Sequence, residues 1–179
     1  TRLAREVAVK VLPQHLTDVL EEERPALKRM YGDGATALDR AKIRLAFECS
    51  LDRWLDTGYG AAHLADHRIA RTVVENLKHF DGVRYETIAW CVMPTHVHVV
   101  IRALGAQKLG AIVQSWKSYT AKRANEILGR QGTFWSREYF DRIVRSPEDL
   151  SRTVEYVINN PVKAGLRDWP WVGVGAPDD

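Results

Sequence analysis

Two histidines set two residues apart raise the first chemical question. They lie in Met93-Pro94-Thr95-His96-Val97-His98-Val99-Val100. The stretch is rich in β-branched residues, and side chains on a strand alternate faces. His96 and His98 therefore share one side, while Val97 and Val99 point the other way into a core. Two imidazoles on one face can grip one divalent cation. The alternative is a pair of packed or surface histidines with no ligand.

Two nitrogen ligands leave a site incomplete, for lack of an oxygen donor and a reactive group. Tyr156 and Asn160 are four residues apart, which puts them one turn apart on the same side of a helix. The apolar stripe of that helix is Leu150, Val154, Val157 and Ile158. Tyr156 and Asn160 lie roughly 100–145° from its centre at helical spacing. Tyr156 is thus not placed as a core residue. A plain surface tyrosine and a C-terminal cap at Asn160 are the structural alternatives. A phenol of pKa about 10 is a weak nucleophile unless a base or metal assists it. A metal on two histidines can polarise a phosphodiester. Together these parts suggest a nuclease that stores the bond energy in a 5′-phosphotyrosine, so that strands can be rejoined.

The elements that must position these groups are legible in outline. Tyr85 to Met93 and His96 to Ile101 read as an antiparallel hairpin broken at Pro94-Thr95. Asp66 caps a helix running to Phe80, and Asp81-Gly82 ends it. A long amphipathic helix spans about Lys108 to Leu128, with Leu109, Ile112, Val113, Trp116 and Thr120 on one face. Phe134 to Val144 reads as a loop into a short strand. Ser146, Pro147, Glu148 and Asp149 form a strong helix start, and Asn159-Asn160-Pro161 predicts its stop near Asn160. The segment from Leu16 to Leu55 looks helical, interrupted by Gly32-Asp33-Gly34. Ala61 to Leu64 reads as a short strand, and the tail from Trp169 as irregular.

Composition bounds the class. The chain has 179 residues, 45% hydrophobic and 27% charged, which suits one globular domain with its own core. Disorder, collagen and disulfide scaffolds are excluded, and no apolar run is long enough to span a bilayer. Cys49 and Cys91 are not in a paired motif, and both read as reduced and buried in a cytoplasmic protein. Net charge is only +3. Its distribution is more informative: between Gly105 and Arg130 the only acid is Glu126, against Lys108, Lys117, Lys122, Arg123 and Arg130. Such a patch suits phosphate, and equally a solvated helix face.

Ala89 to Val100 resembles the His-hydrophobe-His (HUH) motif of the single-tyrosine, IS200-like transposases, and within them the REP-associated tyrosine transposases. Three further blocks agree in order. They are Ser115-Trp116-Lys117-Ser118-Tyr119-Thr120-Ala121-Lys122, then Gly132-Thr133-Phe134-Trp135 with Glu138-Tyr139-Phe140-Asp141-Arg142, then Glu155-Tyr156 through Asn160-Pro161-Val162-Lys163-Ala164-Gly165-Leu166. The resemblance implies an α+β, ferredoxin-like HUH endonuclease fold, a central antiparallel sheet with helices packed on it. It implies His96, His98 and Asn160 as ligands of Mg2+ or Mn2+, Tyr156 as nucleophile, and single-stranded DNA near a hairpin as substrate. Related enzymes are monomers or homodimers, and they would act at the nucleoid. Lys117, Lys122, Arg123, Arg137 and Arg142 are candidate phosphate contacts, and Trp135 a candidate base-stacking ring.

Two departures stand out. The first family strand looks truncated, with Thr1-Arg2-Leu3 as its tail. Thr95 stands where Asn usually precedes the first histidine. The expected organisation is a helical region over 1–57, a catalytic core over 58–166 and a tail over 167–179. A hairpin-binding protein that no longer cuts is the second reading, and a hydrolase using metal-activated water the third.

Overall fold

The computed structural model describes residues 6–14 and 61–176. The expected helical segment Leu16 to Leu55, with Cys49, lies outside the described residues.

Strand β1 spans Glu6–Pro13. It is followed among the described residues by a 3-10 turn at His63–Ala65, helix α1 at His67–His79, β2 at Tyr85–Val92 and β3 at Val97–Ala103. Then come α2 at Leu109–Leu128, β4 at Trp135–Ile143, α3 at Pro147–Lys163 and β5 at Val172–Val174. The sheet order is β4-β1-β3-β2-β5, and every pairing is antiparallel. The first four strands and two helices make the split βαβ arrangement of ferredoxin-like folds. Helix α3 and β5 are additions to it.

A first strand is therefore present, against the truncation expected from the sequence. In Glu6–Pro13, Val7, Val9 and Val11 alternate with Ala8 and Lys10, which is the strand period. β1 pairs with β3 on one side and β4 on the other, so it sits inside the sheet. The core accordingly draws on residues outside 58–166 at both ends.

The strand period sorts side chains into two layers. Val7, Val9, Val11, Trp90, Val92, Val97, Val99, Ile101 and Trp135 join the cluster containing Ile69, Val73 and Leu77 of α1 and Ile112, Val113 and Trp116 of α2. Ala89, Cys91 and Val100 face the opposite way and pack with Val157 of α3. Tyr85 pins the first layer: its hydroxyl donates to Leu77 O at 2.7 Å and accepts from Trp116 Nε1 at 2.9 Å. Burial pushes its pKa up to about 12.

Four local expectations change. Residues 61–64 form no strand but enter the 3-10 turn, where Leu64 N–H bonds Pro94 O. Residues 135–143 form a full strand rather than a loop. Helix α3 continues through Pro161 to Lys163, because Ala164 N–H still reaches Asn160 O and Leu166 N–H reaches Pro161 O. The tail forms β5 on the edge of β2.

Gly173 of β5 lies against the Trp90 indole: a Cβ there would meet Trp90 Cε2 at 2.9 Å. Overpacking of this kind costs about 1–3 kcal/mol. Gly173→Ala is expected to lower stability in urea unfolding by that order. An unchanged midpoint would mean that β5 detaches without consequence.

Candidate active site

His96 and His98 lie on the sheet face covered by α3. In register, one row of that face reads Phe140, Lys10, His98, Cys91 and Val172 across all five strands. Both imidazoles are buried, at 1% and 4% exposure. Their Nε2 atoms are 2.8 Å apart, and the rings meet edge to face. Burial, with the positive charge of Lys10 as a lesser cause, lowers the pKa of both well below the usual imidazole value. His96 adds to the lowering at His98.

The pair therefore stays neutral, which is the protonation state a metal ligand needs. Octahedral ligands at about 2.1 Å from a Mg2+ ion stand about 3 Å from one another, so the Nε2 spacing suits two neighbouring positions on one ion. Thr95 Oγ1 lies 3.0 Å from His96 Nδ1. When Nδ1–H donates to that hydroxyl, Nε2 is left bare for a cation. A second-layer oxygen of this kind fixes tautomer and ring orientation. The threonine that departs from the family pattern thus keeps an oxygen beside His96.

Tyr156 approaches from α3. Its ring meets the His98 ring edge to face, with centroids 5.6 Å apart. The spacing along α3 explains this: Val157 is buried in the sheet layer, and Tyr156 flanks that stripe, half-buried. Lys163 Nζ lies 4.8 Å from the Tyr156 ring centroid. Asn160 is buried at 3% exposure, and its Nδ2 donates to Tyr156 O at 2.9 Å. Its Oδ1 is the atom of suitable chemistry for a hard cation. Among the described residues no group of three or more His, Cys, Asp or Glu side chains is gathered for a metal. A third protein ligand from the described residues would thus be a neutral one.

The start of α3 is tied down firmly. Ser146 Oγ accepts from Asp149 N–H. Arg142 of β4 binds Asp149 Oδ1 at 2.8 Å and donates to Thr153 Oγ1. Arg142 thus holds the helix to the sheet on the histidine face.

The other candidate contacts are not brought to this site. Trp135 is buried at 5% exposure, and its Nε1 donates to Thr120 Oγ1. It is a core ring on the α2 side, not one on which a base can stack. Lys117 is also buried; its Nζ donates to Arg137 O at 3.0 Å and lies over the Tyr139 ring. Its apolar stem and its ammonium serve packing between α2 and β4, which corrects its expected phosphate role. Lys122, Arg123 and Arg137 are exposed, with Arg123 paired to Glu126. Lys122 and Arg123 ride on α2, which packs on the sheet face away from the histidines. Of the other tyrosines in the matching blocks, Tyr119 is exposed on α2 and Tyr139 packs with the α2-side cluster. Cys91 is a buried free thiol whose pKa burial raises to about 12.

Sequence reasoning missed Lys10 and Lys163. Lys10 was hidden because the strand bearing it was not recognised. The alternation of Val7, Val9 and Val11 was the available signal.

A ferredoxin-like sheet with a buried imidazole pair facing a helix-borne tyrosine defines a recognisable class of protein. The family model "Transposase IS200 like" matches residues 64–160, and the chain belongs to that family. It is 26% identical over 101 residues to a Haemophilus influenzae protein described as a REP-associated tyrosine transposase. That match takes in 49% of this chain and 57% of the relative, so the chain spans little more than half the relative's length. The fold is similar to a REP-associated tyrosine transposase solved bound to a REP hairpin, with TM-score 0.55, 16% identity, and 96% of this chain and 79% of that chain covered. A transposase structure from Deinococcus radiodurans is 16% identical, covering 89% of this chain and 93% of its own, but its TM-score of 0.39 is too low to speak to the fold.

The neutral histidine pair makes stability depend on pH. Below about pH 6.5 the unfolded imidazoles take up protons, while the buried pair, with its pKa values lowered, does not. The unfolded state then binds more protons, so stability is full above pH 6.5 and is lost as the pH falls toward the folded values. Urea unfolding between pH 7.5 and 5 should show that decline, and a His96→Leu/His98→Leu protein should show less of it. Equal slopes in the two proteins would contradict the neutral pair.

Proposed function

We propose that this chain cleaves and rejoins single-stranded DNA beside palindromic hairpins, with Tyr156 as nucleophile. The observation that carries the reading is the contact of Tyr156 with His98, one of two buried imidazoles whose Nε2 atoms face each other. The hairpin substrate follows from the relatives: one is REP-associated, and the other is bound to a REP hairpin.

His96, His98 and Asn160 Oδ1 would hold Mg2+ or Mn2+. The bound ion would polarise the scissile phosphodiester and stabilise charge on its oxygens. Tyr156 Oη attacks phosphorus and releases its proton. The bond from phosphorus to the 3′ oxygen breaks, and that oxygen leaves as a hydroxyl after taking up a proton. A 5′-phosphotyrosine remains, and attack on it by a 3′-hydroxyl rejoins a strand. Lys163, stacked over the Tyr156 ring, favours the negative charge that develops on the phenol as it loses its proton. Thr95 holds His96 in the ligand orientation, and α3, seated over the histidines, limits water around them.

The reading of a hairpin binder that does not cut leaned on a missing first strand, and β1 is present. Among the described residues no helix is long and apolar enough to cross a membrane.

A labelled hairpin-flanked oligonucleotide incubated with Mn2+ should give a protein–DNA adduct on a denaturing gel, and EDTA should abolish it. Tyr156→Phe should reduce product by at least about 1,000-fold, the order seen when a covalent nucleophile is removed. Product without an adduct would favour water as the nucleophile, and full activity of Tyr156→Phe would reject the assignment. For the distal cations, Lys122→Gln/Arg123→Gln should weaken hairpin binding and lower the salt slope by about 2 if both touch phosphates. An unchanged slope would leave both as solvated surface charges.

A further inference from the structure

Asn76 stands where α1 calls for an apolar residue. Ile69, Val73 and Asn76 recur at i, i+4 and i+7 on the buried face of that helix. Asn76 is only 6% exposed, and among the described residues its Oδ1 accepts no hydrogen bond. A buried amide oxygen with no donor costs stability, and an apolar side chain of the same shape would avoid the cost.

The polar groups around it are, by contrast, matched to one another. Trp116 Nε1 donates to Tyr85 Oη, which donates to Leu77 O. Trp135 Nε1 donates to Thr120 Oγ1, which donates to Trp116 O at 2.7 Å. Trp116, Thr120 and Trp135 come from the sequence blocks of α2 and β4 that do not reach the histidines. They close a buried network on the other side of the sheet, and Asn76 Oδ1 is the atom it leaves over.

A cavity of about 20 Å3 lies at this place, lined by Val73, Asn76, Val99, Trp116, Thr120 and Trp135 among others. The residues that line it are all buried. One water needs roughly 10–15 Å3 measured in this way, so the space takes a single water and nothing larger. Two lining atoms can hold it. Asn76 Oδ1 lacks a donor, and Thr120 Oγ1 has two lone pairs, of which Trp135 Nε1 uses one. A water has two O–H groups to give and matches both oxygens. We propose that one water molecule is bound in this cavity as a fixed part of the core. It donates to Asn76 Oδ1 and to Thr120 Oγ1, and so joins α1 to the network of α2 and β4. The site is separate from the histidines and stands whether or not the chain cleaves DNA.

The test uses the full chain, with Asn76 and with Asn76→Leu. Nuclear Overhauser cross-peaks from a long-lived water are expected at the methyl groups of Val73, Val99 and Thr120 in the Asn76 protein, and their loss in Asn76→Leu. Oxygen-17 relaxation dispersion of the solvent should likewise count about one fewer long-lived water per chain in Asn76→Leu. No water cross-peaks at these methyls in the Asn76 protein would overturn the proposal. So would cross-peaks that persist in Asn76→Leu, since the Thr120 hydroxyl, which that variant keeps, would then be their source. An equal water count in the two proteins would overturn it as well. Where urea unfolding shows that Asn76→Leu is not folded, Asn76→Met takes its place.

Discussion

Strand β3 is buried on both faces, and its two-residue period decides what each face receives. Val97, Val99 and Ile101 are committed to the layer under α1 and α2. That commitment sends His98 and Val100 to the layer under α3. A slip of one residue would exchange the two sets and place imidazoles in the larger apolar core. The register therefore governs both the core and the site. Met93 N–H bonds His96 O at the hairpin, and Arg102 spans Glu6 on β1 and Glu86 on β2, its direct neighbours in the pairing. These ion pairs are partly exposed and add little to stability. Their value is positional, since they match only in one alignment of three strands.

The second half of the site comes to the first through a helix fastened at its beginning. Ser146 and Pro147 fix where α3 starts, and Arg142 ties Asp149 and Thr153 of its first two turns to β4. From that anchor the helical pitch sets the direction of Tyr156. Near the far end, Pro161 has no N–H to donate to Val157 O. The helix tolerates the loss because Pro161 lies in its last turn and the following N–H groups find acceptors. Asn160, immediately before it, points its amide back to Tyr156 O. The tyrosine and the asparagine are thus held as one local unit.

Much of this was legible in the residues, for identifiable reasons. The hairpin stands out because Tyr85–Val92 and Val97–Ala103 are dense in β-branched and aromatic side chains around a Pro-Thr break. The caps at Asp66 and Ser146 are short-range chemistry, and both form. The pairing of His96 with His98 on one face follows from period alone. Long-range placement was harder. Glu6–Pro13 is a short strand with two charged residues, Glu6 and Lys10, and nothing local tells that it lies between β3 and β4. Lys117 and Trp135 carry the residue types of nucleic-acid contacts, but their partners, Arg137 O and Thr120 Oγ1, are found only once β4 lies against α2. Residue type cannot say which side of the sheet a basic helix will occupy. β5 depends on Gly173 fitting the Trp90 ring, a contact across 83 residues that no window reveals.

The histidine pair itself bears on whether the site serves chemistry or scaffold. A strand that needed only to bind α3 would do better with apolar side chains, as Val100 and Ala89 do one row away. Two facing imidazoles instead bring polar atoms into a buried layer, and burial drives both from their charged form. Such groups cost stability unless their hydrogen bonds are met. Here the Nε2 atoms meet each other, and they can do so only while one carries a proton and the other does not. A cation would release both from that arrangement and use both lone pairs, with Thr95 already placed to take the Nδ1 proton of His96. The pair is thus a poor scaffold, which supports the proposed role of its nitrogens as metal ligands. In the proposed reaction, the tyrosine that α3 sets against it would be the nucleophile beside a bound phosphodiester.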